Sequence, residues 1–559
     1  MNRLKALFLT VGAMASLSGA AMAQQASLVL LNGRVWTENP AQPEAEAVAV
    51  AGDRIVAVGE SARIRAMAAP GATVIDLHGR RVTPGFNDSH VHLLGGGEVL
   101  NSVQLIDAKS PEEFRRRIGD YAKTLPKGTW ILGGNWDHQQ WAKADLPTHQ
   151  LIDDVTPDNP VFITRTEGHM SLVNALAMKL AGLDRTTKTP AGGEIGRDRD
   201  GNPTGIVKDA GQDLIAKVIP PTSDAELTRA LRSALAEAAR NGVTSIQNVP
   251  DEPSDVTFRL YQRFARQGEL TARIYLGAPM SGWKTLGDPG VQKAFGGATL
   301  RIGLLKAFAD GAIGSTTAWM DEPFVGKPGN YGLASADLQQ RDTFAAQMTG
   351  ADKAGLQLAI HAIGTRANHE ILDLFEQVEK ANGPADRRFR IEHAQHINPG
   401  DIARFAKLGV IASMQPYHAI DDGRWVDGVI GETRSRTSYA WKSLLDSGAV
   451  LAFGSDWPVA PLDPLMGIYA AVTRATLDDK RPGGWVPEQR ITVAQAVHAY
   501  TVGSAFAEFQ ETEKGSIAPG KLADMVVLTQ DIFTIPPAQL AGVRVETTIF
   551  GGRVVYQRK

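Results

Sequence analysis

Apolar residues near both ends of the chain fall in short runs that predict β-strands. The N-terminal runs ASLVLLNGRVWT, AVAVAGDRIVAVG and TVIDLHGRRVTPGF contain Asn-Gly, Gly-Asp and His-Gly, which are dipeptides that favour tight turns. The C-terminal runs GSIAPGKLADMVVLTQD and VRVETTIFGGRVVYQRK are likewise rich in residues that favour strands. These patterns predict one small β-sandwich domain built from both ends of the chain, from residues 24–82 and 506–559.

The middle of the chain alternates between strand-like runs and helical patterns. Two helical patterns, AELTRALRSALAEAARNG and RANHEILDLFEQVEKANG, close on glycine, which is a common helix C-terminal signal. A first strand precedes His90, and seven more follow at 242–249, 272–279, 301–311, 356–364, 388–395, 409–416 and 449–457. Eight strands alternating with helices predict an α/β fold, a TIM-like (β/α)8 barrel, over residues 83–505.

One segment interrupts this alternation. Between Leu94 and about Asp224 no barrel strand is needed, yet the chain contains structured runs such as GTWILGGNWDHQQW and NPVFITRTEGHMSLVNALAMKLAG. We interpret residues 95–224 as a large insertion after barrel strand 1. That position places the insertion at the C-terminal mouth of the barrel, where the active sites of such barrels lie.

Composition and charge narrow the function classes. The chain has 559 residues, of which 43% are hydrophobic and 21% charged, as in an ordinary soluble globular protein. Its net charge of −3 gives no indication of nucleic acid or an anionic membrane as a partner. The absence of cysteine excludes disulfides, thiolate catalysis and Cys-ligated zinc, so a metal site must use His, carboxylates and lysine.

The first residues have the pattern of a targeting segment. Arg3 and Lys5 precede the apolar run ALFLTVGAMASLSGA, and the small residues of AMA end at Ala23. This order predicts a secretory signal peptide over residues 1–23, cleaved after Ala23. The alternative is an uncleaved anchor, although the apolar run is short for a membrane span. We expect a periplasmic or secreted protein.

Candidate metal ligands stand at the ends of several predicted strands. His90 and His92 lie one residue apart, so on a strand their side chains point to the same side. Taken alone, this pair could equally be two polar residues at the start of a loop. His361, His393 and Asp456 follow strands 5, 6 and 8, and their spacings match one and two units of roughly 31 residues in a barrel of this kind. All five side chains are therefore expected at one rim.

These segments together resemble a known family. PGFNDSHVHL, AIHAIG, RIEHAQ and FGSDWP are similar to motifs of the amidohydrolase superfamily. LKAFADGAIGSTTA, GGNWD, EGHMSLVNALA and GKLADMVVL resemble its amidohydrolase-3, YtcJ-like branch, and the resemblance covers essentially the whole mature chain. It implies a hydrolase that depends on divalent metal, with two zinc ions expected and manganese or iron as alternatives.

The resemblance also implies roles for individual residues. His90 and His92 would hold the more buried ion, His361 and His393 would hold a second, and Asp456 would ligate the first ion and carry protons. Lys306 would bridge the two ions as a carbamate made with carbon dioxide, because an ammonium has no acceptor and cannot ligate a cation. The alternative is an unmodified Lys306 that pairs with Asp310 or binds substrate, in a site with one ion.

The insertion supplies candidate substrate contacts by resemblance alone. They are Trp136, His138, His169 and Asn174, although Trp136 and Trp141 could equally belong to the core of the insertion. His396 and His418 are interpreted as surface or supporting residues and are left out of the ligand set.

The reaction implied is hydrolysis of a C–N bond outside ordinary peptides, in an amide, N-acyl group, formamide or cyclic amide. Two alternatives stay open: an esterase, lactonase or isomerase on the same site, and a non-catalytic periplasmic binding protein, against which the proton carrier Asp456 argues. The expected partner is a small-molecule substrate. Nucleic acid and stable membrane association after signal cleavage are not expected, and a homodimer is compatible with the sequence.

Overall fold

The computed structural model describes residues 25–138, 141–143, 145–165, 170–190, 193–249, 255–481 and 483–559. The predicted signal peptide and the candidate residue His169 lie outside these ranges. Within them, no helix combines the length and the apolar character that crossing a bilayer would require.

Seven strands and one short helix open the described chain. They are β1 (Ala26–Leu31), β2 (Arg34–Trp36), β3 (Glu44–Ala45), β4 (Ala47–Ala51), β5 (Arg54–Gly59), α1 (Ser61–Arg65), β6 (Ala68–Asp76) and β7 (Arg81–Pro84). Four of these strands form a sheet in the order β5-β4-β1-β6. The remaining three strands, β2, β3 and β7, belong to a second sheet that the C-terminus completes.

The first barrel strand and the insertion follow directly. These elements are β8 (Phe86–Val91), α2 (Leu93–Leu100), α3 (Pro111–Ala122), β9 (Ile131–Trp136), β10 (Val161–Arg165), β11 (Met170–Val173), α4 (Ala175–Ala181), β12 (Gly193–Arg197), β13 (Pro203–Asp209) and α5 (Asp213–Ala216). Strands β9 to β13 form a separate five-stranded sheet in the order β12-β13-β11-β10-β9. Phe114, Trp136 and Ile163 pack in a hydrophobic core belonging to this unit, so the insertion buries its own apolar side chains.

Seven further parallel strands complete the barrel. The strands are β14 (Val243–Asn248), β15 (Arg273–Pro279), β17 (Leu300–Phe308), β18 (Gln357–Ala362), β19 (Arg390–His393), β20 (Ile411–Met414) and β21 (Leu451–Phe453), with the short β16 (Phe295–Gly296) antiparallel to β17. They neighbour one another in the order β21-β20-β19-β18-β17-β15-β14-β8. A bridge between Val91 and Trp457 joins the two ends of this sheet. The predicted (β/α)8 barrel is confirmed.

The remaining helices lie around the barrel or within the segments that connect its strands. They are α6 (Asp224–Arg240), α7 (Asp255–Gln267), α8 (Trp283–Gly287), α9 (Ala336–Gln339), α10 (Arg341–Lys353), α11 (Thr365–Asn382), α12 (Ile402–Lys407), α13 (Pro416–Asp422), α14 (Asp427–Ile430), α15 (Glu432–Ser435), α16 (Trp441–Asp446), α17 (Pro464–Thr473), α18 (Val493–His498) and α19 (Ser504–Ala507). α6 shows why such segments are helical: Ser223 and Glu226 form a capping box, and Leu227, Leu231 and Leu235 bury one face.

The C-terminal strands complete the second sheet of the β domain. They are β22 (Met525–Leu528), β23 (Val545–Phe550) and β24 (Arg553–Gln557), and the sheet runs β24-β23-β22-β7-β2-β3. Leu30 and Val48 from the first sheet pack with Val82, Met525 and Ile549 from the second. This packing confirms a β-sandwich built from both ends of the chain, and β7 leads almost directly into the first barrel strand.

Candidate metal centre

Backbone hydrogen bonds between the first and last barrel strands position three of the predicted ligands. The Asp456 N–H donates to the His90 carbonyl at 2.8 Å, and the His92 N–H donates to the Trp457 carbonyl at 2.9 Å. The side chains then converge, with Asp456 Oδ1 3.1 Å from His92 Nε2 and 3.5 Å from His90 Nε2. Ligand atoms of all three residues lie within 4.8 Å of one another. Two imidazoles and a carboxylate make a donor set that suits zinc or a similar divalent ion.

A buried carboxylate orients His90. Glu392 Oε2 lies 2.5 Å from His90 Nδ1, and Arg390 Nε donates to the other oxygen, Glu392 Oε1, at 2.7 Å. Burial alone would raise the pKa of Glu392, but the charges of Arg390 and His90 lower it to about 2. The ionised Glu392 therefore accepts the Nδ1 proton of His90 and leaves Nε2 as an acceptor. That buried Nε2 has no hydrogen-bond partner among the described residues, which fits a metal ligand.

His361 and His393 lie beside this group. Ring centroids are 4.9 Å apart for His90 and His393 and 4.6 Å apart for His393 and His361. His393 Nδ1 lies 2.8 Å from Gln415 Oε1, whereas His361 Nε2 lies 3.2 Å from the carbonyl of Gly311. Burial, followed by the charge of Lys306, lowers the pKa of His361 to about 3. Burial and the neighbouring His361 lower the pKa of His393 well below its usual value, so both rings are neutral, as cation binding requires.

The five predicted histidine and aspartate ligands all line one cavity at the barrel mouth. Its volume is about 350 Å³, and its lining includes His90, His92, Lys306, Phe308, His361, His393, Gln395, Tyr417, His418, Asp421, Asp422, Asp456 and Val459. The structure therefore brings together every residue that the sequence proposed as a metal ligand. It adds His418, which the sequence analysis left out, and the supporting Glu392, Arg390 and Gln415, which it did not single out.

Asp310 and Lys306 have different surroundings near this cavity. The Asp310 carboxylate accepts hydrogen bonds from the backbone N–H groups of Trp319, Ile363 and Gly364 at 2.7–3.0 Å. Those contacts give Asp310 a structural role in joining two loops. Lys306 is 4% exposed, and its Nζ lies 4.6 Å from the centroid of the Phe308 ring.

Three of the predicted substrate residues, Trp136, His138 and Asn174, are not among the residues that line the cavity. Trp136 is fully buried, and its Nε1 donates to the Ile163 carbonyl at 2.9 Å. Asn174 caps α4 by accepting from the Ala177 N–H at 2.9 Å. His138 is 7% exposed and packs against the ring of Trp136. These contacts place all three in the packing of the insertion rather than in the cavity, and His169 lies outside the described residues.

We expect Asn174→Ala to destabilise the protein by more than about 1 kcal/mol, the typical cost of losing an N-cap, and to leave KM unchanged. The loss is larger because the buried Asn174 amide also donates to the carbonyls of Thr156 and Asn159. Denaturant unfolding and steady-state kinetics measure the two effects. Ser110→Ala is the matched control because Ser110 caps α3 of the same insertion by accepting from the Glu113 N–H. A large rise in KM for Asn174→Ala alone, with unchanged unfolding, would return Asn174 to the substrate site.

Comparison with known proteins agrees with this geometry. The model of the amidohydrolase family (Amidohydro_3) matches residues 73–556. Protein LONG AFTER FAR-RED 3 of Arabidopsis thaliana is 38% identical, over 95% of this chain and 92% of that protein. Putative amidohydrolase YtcJ of Bacillus subtilis (strain 168) is 32% identical, over 94% and 98%. N-substituted formamide deformylase of Arthrobacter pascens is 29% identical, over 96% and 99%.

A solved structure shows the same architecture. The crystal structure of an uncharacterized metal-dependent hydrolase from Pyrococcus horikoshii OT3 superposes with a TM-score of 0.77 at 27% identity, over 91% of this chain and 99% of that one. A (β/α)8 barrel with histidines and an aspartate gathered at its mouth supports a metal-dependent hydrolase. The chain belongs to the amidohydrolase family, which confirms the resemblance seen in the sequence.

Proposed function

We propose that the protein hydrolyses a C–N bond outside ordinary peptides, in an amide, N-acyl group, formamide or cyclic amide of a small molecule. The observation that carries this proposal is the convergence of His90, His92 and Asp456 on one cavity at the barrel mouth. The name of one relative, N-substituted formamide deformylase, supports the choice of a C–N bond. The cavity of about 350 Å³ suits a small substrate.

We propose that His90, His92 and Asp456 hold a divalent ion. The proposed ion is zinc, with manganese and iron as alternatives. When bound, it would polarise a carbonyl and make water nucleophilic at neutral pH. Asp456 accepts the proton of the attacking water and passes it to the leaving nitrogen. Burial would raise the pKa of Asp456, but His90 and its neighbours hold it well below the usual value. The residue is therefore a carboxylate at neutral pH, which is the form that ligates a cation.

Lys306 is proposed to carry a carbamate formed with carbon dioxide. The carbamate would turn a buried cation into a two-oxygen group able to face an ion. We expect Lys306→Ala to lose nearly all activity, and a short carboxylic acid in the buffer to restore part of it by supplying the missing oxygens. Initial rates with and without the acid measure this rescue. Retention of full activity by Lys306→Ala would contradict the role.

We also propose that this chemistry takes place after export, in the periplasm or outside the cell. The support is the sequence pattern of Arg3, Lys5 and the apolar run ending at Ala23. Fractionation of cells producing the full chain, with N-terminal sequencing of the product, tests the compartment and the cleavage site.

Metal removal tests the proposed function. We expect a chelator to abolish turnover and added Zn²⁺ or Mn²⁺ to restore it, because all the proposed ligands offer nitrogen or oxygen donors. Turnover is measured on a panel of substrates. The panel pairs N-substituted formamides, N-acyl compounds and cyclic amides with the corresponding esters and lactones. Full activity in protein shown to be metal-free would contradict a metal-dependent mechanism. Turnover of the esters and lactones alone would replace C–N hydrolysis by ester hydrolysis.

A further inference from the structure

A second cavity adjoins the metal cavity on the side of the insertion. Its volume is about 560 Å³, and it shares His92 and Val459 with the cavity that contains the candidate metal ligands. Its walls come from α2, from α3 and β9 of the insertion, and from α6. Val459 is 72% exposed, so an apolar side chain lies open where the two cavities meet. A group attached to a molecule bound at His92 is therefore adjacent to this second cavity.

Apolar and aromatic side chains form much of the wall of the second cavity. They are Val99, Tyr121, Leu125, Trp130 and Leu132. Leu132 is 37% exposed although it lies within β9. Polar groups of the wall are already hydrogen-bonded within the protein: the Tyr121 hydroxyl donates to the Asn101 carbonyl, and the Ser102 hydroxyl donates to the Val99 carbonyl at 2.8 Å. These contacts leave mainly apolar surface to face a ligand.

Three charged side chains also line the second cavity. Glu226 closes the capping box of α6 with Ser223, so its carboxylate already has a partner. Glu98 and Arg229 are exposed, and water can solvate their charges. The charges therefore do not define the chemistry of the ligand.

The glycines of α2 show that the protein's own packing does not use this space. A Cβ at Gly96 would collide with the ring of Trp457, and one at Gly97 would collide with the carbonyl of Ala230, so close packing explains both glycines. A Cβ at Gly95 would meet no atom within 4 Å outside its own helix, and Gly95 lines the second cavity. Because glycine destabilises a helix relative to alanine, the open space at Gly95 has a cost that packing does not explain.

We propose that the second cavity is a subsite for an apolar group, alkyl or aryl, attached to the bond that is hydrolysed in the first cavity. This assignment rests on the proposed function and deepens it by naming a class of substrate. The shared residues His92 and Val459 connect the two cavities, the apolar wall selects the chemistry, and the open space at Gly95 gives the group room. Burying one CH₂ group against such a wall typically improves binding by about fourfold.

The dependence of binding on chain length tests the subsite in the full-length protein without any turnover. The probes are N-alkylmethanesulfonamides and N-methylalkanesulfonamides, from methyl to hexyl, which resemble amides but resist hydrolysis. The first series extends the amine side and the second extends the acyl side, and isothermal titration calorimetry gives each Kd. We expect Kd to fall by about two- to fourfold per added CH₂ in at least one series. One affinity for all members of both series would overturn the proposal.

Gly95→Leu should remove this dependence, because its side chain fills the open space. The ratio of the methyl Kd to the hexyl Kd should then fall towards one. Gly428→Leu is the matched control and should keep the ratio of the parent, since Gly428 is an exposed glycine of α14 that also has no atom within 4 Å of its Cβ position and lines neither cavity. An unchanged ratio in Gly95→Leu would contradict the subsite.

A second variant covers the case in which Gly95→Leu does not fold. Leu132→Ser removes an exposed apolar side chain from the wall and should lower the methyl-to-hexyl ratio severalfold. Leu180→Ser, at a 53% exposed residue of α4 in the same insertion, should not change it. Equal ratios in Leu132→Ser and the parent would rule out the proposed wall.

Comparison with the substrate panel separates this proposal from the proposed function. A parent that hydrolyses the amides but binds every sulfonamide equally well would overturn the subsite and keep the function. A parent that shows the gain with chain length but hydrolyses no amide would overturn the function and keep the subsite.

Discussion

Replacing Asp456 by asparagine should lower kcat by about 10²–10⁴-fold, the usual contribution of general acid–base catalysis, while the fold persists. The amide has nearly the same shape as the carboxylate but cannot accept a proton. The backbone N–H of residue 456 still donates to the His90 carbonyl, so the substitution leaves the junction of the first and last strands in place. Steady-state kinetics on the best substrate of the panel measure the loss, and circular dichroism checks the fold.

Asp446→Asn is the control for this substitution because Asp446 is an exposed residue of α16 that pairs with Lys442. It should leave kcat unchanged. A decrease of less than tenfold in Asp456→Asn would show that another group carries the proton. A non-catalytic binding protein would instead show no turnover in the parent and unchanged ligand affinity in the variant.

Arg390→Met should lower the free energy of unfolding by about 3–5 kcal/mol, the typical cost of removing one partner of a buried ion pair. Arg390 and Glu392 are both fully buried. Arg390 also donates to the Ser89 carbonyl at 2.6 Å and to Ser413 Oγ at 3.0 Å, and it hydrogen-bonds Gln247. The substitution leaves the Glu392 carboxylate without its main cation inside the barrel. Urea unfolding of the metal-free proteins measures the difference.

The double variant Arg390→Met with Glu392→Gln should recover part of the lost stability, because it no longer buries a charge. Arg115→Met is the surface control: its partner Asp154 is 66% exposed, and such exposed pairs contribute about 0–1 kcal/mol. A loss below about 1 kcal/mol in Arg390→Met, or no recovery in the double variant, would show that the buried pair is not a major source of stability.

The barrel architecture was predictable because the pattern of an apolar run followed by polar residues repeats along the chain. Eight apolar runs ending in polar residues give eight strands, and the histidines and aspartate recur in step with them. The predicted runs were longer than the strands: the run 449–457 contains only β21, Leu451–Phe453. Asp456 follows in a left-handed backbone conformation with φ 61°, held by the contact with His90. A pattern of apolar residues cannot show this conformation, because it depends on a neighbour distant in sequence.

The residues that line and support the cavity were only partly predictable from the sequence. The sequence argument searched the ends of strands, and His418 lies four residues beyond β20, inside α13. The signal that could have identified His418 is its position in the first helical turn after a barrel strand. Glu392 was visible next to His393 in RIEHAQ, but its role depends on the fold, which places it against His90 across the barrel.

In the insertion, the resemblance identifies segments but does not give the role of each residue. Trp136 and Asn174 lie in the segments that resemble the family, but segment likeness does not separate residues that pack from residues that contact substrate. The deciding observations are three-dimensional: Trp136 is enclosed by the core of the insertion, and Asn174 caps α4 while donating to the Asn159 carbonyl at 2.9 Å.

The junction between the first and last barrel strands has a consequence for the energetics of the whole chain. Asp88 accepts from the Ser455 N–H across a sequence separation of 367 positions, and His90 and Asp456 meet beside it. An ion held by residues from both strands, as proposed above, would act as a cross-link that closes nearly the entire barrel into one loop. Loops of that length lose much conformational freedom on closure, and metal binding of this kind contributes directly to folding. Such an ion would stabilise the closed barrel as well as take part in the reaction. Its removal should speed amide hydrogen exchange in β8 and β21 before it does so in the rest of the barrel.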